Sequence, residues 1–238
     1  MRRIVASSAL ALAIAVPSLA AAQEINYSAG ATVASKYVFK GVQLSKAGTF
    51  QPWIEAEYNG IYGNLWATNM DKHRGGFGAS AELDVTLGYR NEYAGLNYEF
   101  GYTRYLVNNT HNYVNPLGAD QSGEIFINLA GTAYQNLDLA LKTTYNPKSE
   151  RFGAVAIASY AVDEQLSFNV AAGQLSHHDG HDFFSVGAAY AINDQLTASV
   201  NWIDTDENIK GSTLANGYPV PYAKNLWVAS LDYKFSFR

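Results

Sequence analysis

From residue 23 onward the chain alternates between apolar and polar positions. Leu83, Val85, Leu87 and Tyr89 interleave with Glu82, Asp84, Thr86 and Arg90; Leu96, Tyr98, Phe100 and Tyr102 interleave with Asn97, Glu99, Gly101 and Thr103. The chain ends the same way, with Trp227, Ala229, Leu231, Tyr233, Phe235 and Phe237 set against Ser230, Asp232, Lys234 and Ser236. A period of two puts alternate side chains on opposite faces of a β-strand. Twelve such segments are predicted, at 25–39, 50–58, 61–70, 81–90, 93–106, 122–134, 137–146, 151–162, 166–176, 182–192, 196–206 and 224–237. Most are near the ~9–11 residues that a tilted strand needs to cross a bilayer. No segment sustains helical periodicity.

The connections sort into two kinds. Asn59-Gly60, Asn91-Glu92, Gln135-Asn136, Asp163-Glu164-Gln165 and Asn193-Asp194-Gln195 read as tight hairpin turns. Between them lie mostly longer stretches: KGVQLSKAGT, DKHRGGFGAS, LVNNTHNYVNPLGADQ, HHDGHD and NIKGSTLANGYPVPYA, with the short NPKSE as the exception. An outer-membrane barrel has short periplasmic turns and longer extracellular loops, which is this alternation. SYAVDEQLSFNV (159–170) and AYAINDQLTASV (189–200) repeat one hairpin pattern.

The first residues decide which solvent each face meets. Met1-Arg2-Arg3 is basic, Ile4 to Val16 is apolar, and Ala20-Ala21-Ala22 supplies a small-residue cleavage site. This is the layout of a secretory signal peptide, residues 1–22, and its apolar stretch falls short of the ~20 residues of a membrane helix. Residues 23–238 then form one domain. The tyrosines fit an inverted barrel whose aromatics face lipid. Tyr58, Tyr62, Tyr89, Tyr93, Tyr134, Tyr160 and Tyr190 lie beside short turns, and Tyr37, Phe39, Tyr102, Tyr145, Trp202 and Trp227 lie at the opposite strand ends. Two aromatic girdles around an aliphatic band are the lipid-facing pattern. The expected fold is therefore all-β: an antiparallel up-and-down transmembrane β-barrel of about twelve strands, in the outer membrane of a Gram-negative cell. Closure also satisfies every backbone N–H and C=O in lipid.

Several stretches carry a family resemblance. SKYVFKGVQLSKAG (35–48) resembles the Ser-x-Tyr-Val-Phe-Arg-Gly opening of the TorF-type family of outer-membrane porins, with Lys40 in place of the arginine. GNLWATNMD (63–71), AELDVTLGYR (81–90), GLNYEFGYTRY (95–105) and WIDTD (202–206) are similar to that family in the same order. The resemblance implies a porin barrel and no particular solute.

Composition narrows the chemistry. The formal net charge of −5 leaves no basic stripe, so nucleic acid is not an expected partner. There is no cysteine, so disulfides do not hold the fold. Glu55, Glu57, Glu82, Asp84, Glu99 and Glu124 fall on inward positions of neighbouring strands and predict an acidic wall lining the lumen. Lys36, Lys40, Arg90 and Lys142 are its basic counterparts in the lumen lining. A lumen lined by one sign selects for the other, while full pairing would fill it as a plug. His177, His178 and His181, with two aspartates in HHDGHD, form a candidate metal cluster, although histidine also simply suits a wet loop. No cofactor is implied. There is no G-x-S-x-G elbow and no H-E-x-x-H helix, and Ser176 and His177 point to opposite strand faces, so the chain does not read as an enzyme.

The sequence thus predicts a passive channel for small hydrophilic solutes, whose partners are outer-membrane lipid, the barrel-assembly machinery and those solutes. The alternative is a closed, non-conducting barrel whose extracellular loops bind a ligand or partner.

Overall fold

Twelve antiparallel strands close on themselves, because the first of them pairs with the last as well as with its other neighbour. The computed structural model describes residues 25–71, 79–109, 123–176, 180–207 and 221–237. The barrel strands are β1 (Asn26–Ala34), β4 (Thr49–Tyr58), β5 (Ile61–Asn69), β6 (Ala79–Tyr93), β7 (Leu96–Asn109), β8 (Gly123–Tyr134), β9 (Leu137–Asn146), β10 (Arg151–Ala161), β11 (Leu166–Leu175), β12 (His181–Ala191), β13 (Leu196–Glu207) and β14 (Leu226–Phe237). Two short strands, β2 (Tyr37–Phe39) and β3 (Val42–Ser45), pair only with each other. The expected signal peptide, residues 1–22, lies outside the described residues.

Side-chain alternation explains the closure. Val33, Ile54, Leu65, Leu87, Phe100, Ile127, Leu141, Val170, Val186, Val200 and Leu231 are all exposed, although each is large and apolar. Thr32, Thr68, Arg90, Asn128, Ser167, Asn169, Ser199, Asn201 and Ser230, on the other face, are buried. An apolar outside around a polar inside is stable only with lipid as the outer solvent, and the protein is an outer-membrane β-barrel. In lipid the strand backbones are satisfied by the ladder, which at the seam runs from Tyr27↔Phe237 to Ala34↔Ser230.

Turn chemistry fixes the registers at the short-turn rim. Asn59 (φ 51) and Gly60 (φ 81) take the two left-handed positions of a type I′ hairpin, and so do Ala94 (φ 51) and Gly95 (φ 82). The second pair corrects the expected turn at Asn91-Glu92. Those two residues belong to β6, which continues to Tyr93 and pairs Tyr93 with Leu96. In the repeated hairpins the same device appears twice. Asp163 Oδ1 accepts hydrogen bonds from the N–H groups of Gln165 (2.8 Å) and Leu166 (2.7 Å). Asn193 Oδ1 accepts from those of Gln195 and Leu196, both at 2.9 Å.

The first predicted segment, 25–39, does not run as one strand. The barrel strand ends at Ala34, and residues 37–45 fold back as the β2–β3 hairpin. Its turn is Lys40 (φ 47) and Gly41 (φ 80), again the I′ pair.

Candidate functional site: the charged lumen and its inward hairpin

The β2–β3 hairpin lies inside the barrel. Val38 packs with Ala34, Ile203, Ala223 and Val228, while Tyr37 and Leu44 pack with Met70 and Val107. These two apolar clusters anchor the hairpin to opposite parts of the wall. Backbone bonds reinforce them: Gln43 N–H donates to the Pro221 carbonyl (2.7 Å), Ala223 N–H to that of Gly41 (2.7 Å), and Asp71 N–H to that of Leu44 (3.0 Å). Thr205 Oγ1 also donates to the Gly41 carbonyl at 2.9 Å. A Cβ at Gly41 would lie 2.8 Å from that hydroxyl and 2.9 Å from Phe183, so the tip has room only for glycine.

Lys40 carries the tip across to the far wall. Its Nζ is 2.6 Å from both carboxylate oxygens of Glu124 and donates to Thr144 Oγ1 at 2.8 Å. The two side chains of this ion pair are 12% and 11% exposed. Burial lowers the Lys40 ammonium from the usual lysine range, and Glu124 acts against that shift. Glu124 Oε2 also accepts from Tyr105 (2.8 Å), and Glu82 Oε2 accepts from Tyr37 (3.0 Å). Asp84 belongs to the same group, with its Oδ1 buried and making no hydrogen bond.

A second charged group lies on the short-turn side of the first. Arg90 donates to Glu55 Oε1 at 2.5 Å, and its Nε lies 3.1 Å from Glu57 Oε2. Its guanidinium stacks 3.9 Å above the Tyr62 ring. The register row continues from Arg90 to Glu99, Asn128 and Lys142 on successive strands, and Asn128 donates to Glu99 at 2.7 Å. Lys36 stands apart from both groups, donating to the Trp227 carbonyl at 3.0 Å.

The inward charge of the strands gathers on one side, apart from Asp232 and Lys234 of β14. Glu55, Glu57, Glu82, Asp84, Arg90, Glu99, Glu124 and Lys142 all come from β4 to β9. The inward positions of β10 to β13 from Gly153 to Thr205 are Gly, Ala, Val, Ile, Leu, Phe, Ser, Thr and Asn, apart from His181 at the rim. Between the two walls is a cavity of about 1610 Å³. It reaches from the hairpin residues Tyr37 to Lys40 down to the short-turn residues Asn136, Asp163 and Asn193. Its lining carries nine carboxylates against five Lys and Arg side chains. Lys36, Lys40, Glu55, Asp84, Arg90, Glu99, Glu124 and Lys142 line it; Glu57 and Glu82 are held in the pairings above rather than at its surface.

The lumen also holds aromatics that their positions beside turns and at strand ends assigned to the girdles. Tyr62 was expected in the rim girdle with Tyr58, but Tyr58 is 41% exposed and Tyr62 only 4%. Tyr37 and Phe39 were expected in the opposite girdle, and both belong to the hairpin. The ring of Tyr62 covers Gly88, the residue opposite it on β6: a Cβ there would lie 2.6 Å from its Cζ. Trp53 covers Gly30 in the same way, at 2.8 Å from its Nε1, and Phe126 covers Gly101 at 2.7 Å. Missing side chains let these rings lie flat on the wall and keep the bore clear. A glycine directly across from an inward aromatic was the sequence signal for this.

The metal-cluster expectation divides. His177 and His178 lie outside the described residues, as do His73 and His111. His181 is buried, with Nε2 donating to the Lys40 carbonyl at 2.6 Å and its ring centroid 5.0 Å from that of Tyr222. Among the described residues no group of three or more His, Cys, Asp or Glu side chains could hold a metal ion.

Comparison with known proteins places this geometry. The family described as "Bacterial protein of unknown function (Gcw_chp)" matches residues 19–235. No curated protein matches the chain. Among solved structures, the KdgM porin is similar over 90% of this chain and 99% of its own, with a TM-score of 0.57 and 8% identity. A second KdgM structure, in complex with disordered oligogalacturonate, covers 88% and 99% at the same TM-score and identity. The NanC porin covers 90% of this chain and all (100%) of its own, with a TM-score of 0.50 and 9% identity. At such identities the likeness is one of fold.

Proposed function

We propose, from the premise that this chain belongs to the Gcw_chp family of bacterial proteins and folds as an outer-membrane porin barrel, that it is a passive channel for small hydrophilic solutes with a preference for cations. The observation that carries this reading is the cavity lining, with nine carboxylates against five basic side chains: Glu55, Asp84, Glu99, Glu124 and Asp138 belong to β4–β9, and Asp163, Glu164, Asp194 and Asp232 to the short turns and β14. A barrel that served only as a scaffold would have no use for an excess of carboxylates along its cavity, whereas a channel lined by one sign attracts the other. The ordered resemblance of residues 35–48, 63–71, 81–90, 95–105 and 202–206 to TorF-type porins supports the same reading. An oligogalacturonate, the polyanion in one of the similar porin structures, would meet the wrong sign here.

The test is conductance of refolded protein in a planar bilayer under a salt gradient. Discrete current steps with a reversal potential displaced toward the cation limit are expected. Silence in every common salt would sink the channel reading.

A second reading has one observation in its favour. The hairpin touches strands on opposite sides of the lumen, as a plug would. On that reading the barrel is closed and its long connections bind a partner. The same recording separates the two.

A further inference from the structure

We infer that the β2–β3 hairpin is the channel's selecting constriction and that the Lys40–Glu124 ion pair at its tip is the specificity-determining contact. This rests on the channel reading and names the place where selection happens.

The hairpin is the only described element that leaves the barrel wall and crosses the lumen. Its anchors are dispersed around the bore. One cluster joins it to β1, β13 and β14, another to β5 and β7, and the tip lysine reaches β8 and β9. Five hydrogen bonds to its main chain, from Ala223, Asp71, Thr205 and His181 and to Pro221, fix its backbone as firmly as a ladder would. It is therefore a fixed obstacle that a solute must pass, at the end of the cavity away from the short-turn residues.

The tip residue is a poor one for the turn and a good one for selection. A type I′ turn wants asparagine or glycine at its first left-handed position, and the turn at Asn59-Gly60 has it. Lys40 takes that position at φ 47, in the left-handed region that a side chain with a Cβ adopts only at a cost. The lysine is thus placed against local preference. It lies beside Glu124, which has Asp84 as its own acidic neighbour, in the group farther from the short-turn rim. By pairing with Glu124 it hides one carboxylate and leaves the others to set the local potential. Removing the ammonium exposes Glu124, and removing the carboxylate leaves a bare cation in the path.

Three variants test this by reversal potential and conductance in planar bilayers, with heat-modifiable gel mobility as the readout of folding. Lys40→Met is expected to raise the cation preference, and Glu124→Gln to lower it. Replacing residues 37–45 by Gly and Ser removes the apolar anchors, and is expected to enlarge the conductance and admit larger neutral sugars. Wild-type values in both point variants overturn the specificity claim, and an excised hairpin with wild-type conductance overturns the constriction. If the wild type is silent and the excised form conducts, the constriction stands and the passive-channel reading falls. If both are silent, both fall. Should the excised form fail to fold, the two point variants still decide the claim about the ion pair.

Discussion

Arg90 shows how the barrel tolerates acid on its inner wall. It holds two carboxylates, Glu55 and Glu57, and lies over the ring of Tyr62, which itself fills the place of a side chain at Gly88. Four residues on three strands therefore depend on one guanidinium. Breaking a buried ion pair from one side leaves uncompensated charge, at a cost of about 3–5 kcal/mol. Arg90→Met is expected to lose stability of about that size in urea unfolding from lipid vesicles. A further Glu55→Gln/Glu57→Gln change should recover much of the loss, since it removes the charges left bare. Lysine would not serve equally well, because only the planar fork can bind two carboxylates and stack on a ring together.

The repeated hairpins make a prediction at the scale of the element. The turn after β10 and the turn after β12 are closed by one side-chain oxygen each, from Asp163 and Asn193. The two backbone N–H groups that Asp163 accepts hold its carboxyl below the usual aspartate range. A lowered folded-state pKa means stability that is present above the unfolded value and lost as pH falls through the folded one. Asp163→Asn should therefore unfold like the wild type at neutral pH. It should also lack the wild type's loss of stability at acid pH in that turn, because an amide keeps the acceptor without titrating. Parallel thermal unfolding in detergent at neutral and acid pH checks both halves.

The β2–β3 hairpin is the element whose character the sequence concealed. YVF is aromatic and β-branched, as strand residues are, so the first segment reads straight on to Phe39. What breaks it is the Lys-Gly pair, an X-Gly turn of the same kind as Asn59-Gly60, with a first residue that is uncommon there. Strand faces were legible because lipid and lumen demand opposite chemistry at successive residues. The turn at Ala94-Gly95 was less so, because Asn91 is the more familiar turn former. Alternation puts Glu55, Asp84, Glu99 and Glu124 on the polar faces of their strands. Their grouping into two clusters could not be read that way, because it depends on strand stagger and on a hairpin that alternation cannot place. Tyr62 illustrates the same limit: its position beside a turn suggests a girdle, and only the missing side chain at Gly88 reveals that it points inward.

At the scale of the whole molecule, the seam between β1 and β14 joins the two ends of the described chain, and the Tyr27 and Phe237 rings stack across it at 5.8 Å. Phe235 stacks on Phe237 in turn, at 5.6 Å. β14 thus presents a run of alternate aromatics to lipid. Phe237→Ala is expected to reduce the fraction of heat-modifiable, membrane-inserted protein, whereas removing Arg238 should leave it unchanged. Fractionated membranes run with and without boiling would show it. Equal insertion of Phe237→Ala and wild type would count against the role of that ring.

The seam has a further consequence, for the order in which the protein can come into being. The strand that β1 needs is made after every other described strand, and the hairpin's backbone anchors at Pro221 and Ala223 lie just before it. A chain cut short anywhere upstream would lack both. It would be an open sheet with two raw edges and an unseated hairpin, ready substrate for periplasmic proteases. Only a chain that includes residues 221–237 closes its wall and gains the hairpin's seat. Inspection of the product is in effect built into its topology: an incomplete copy cannot pass for a leaky pore, because it cannot become a barrel.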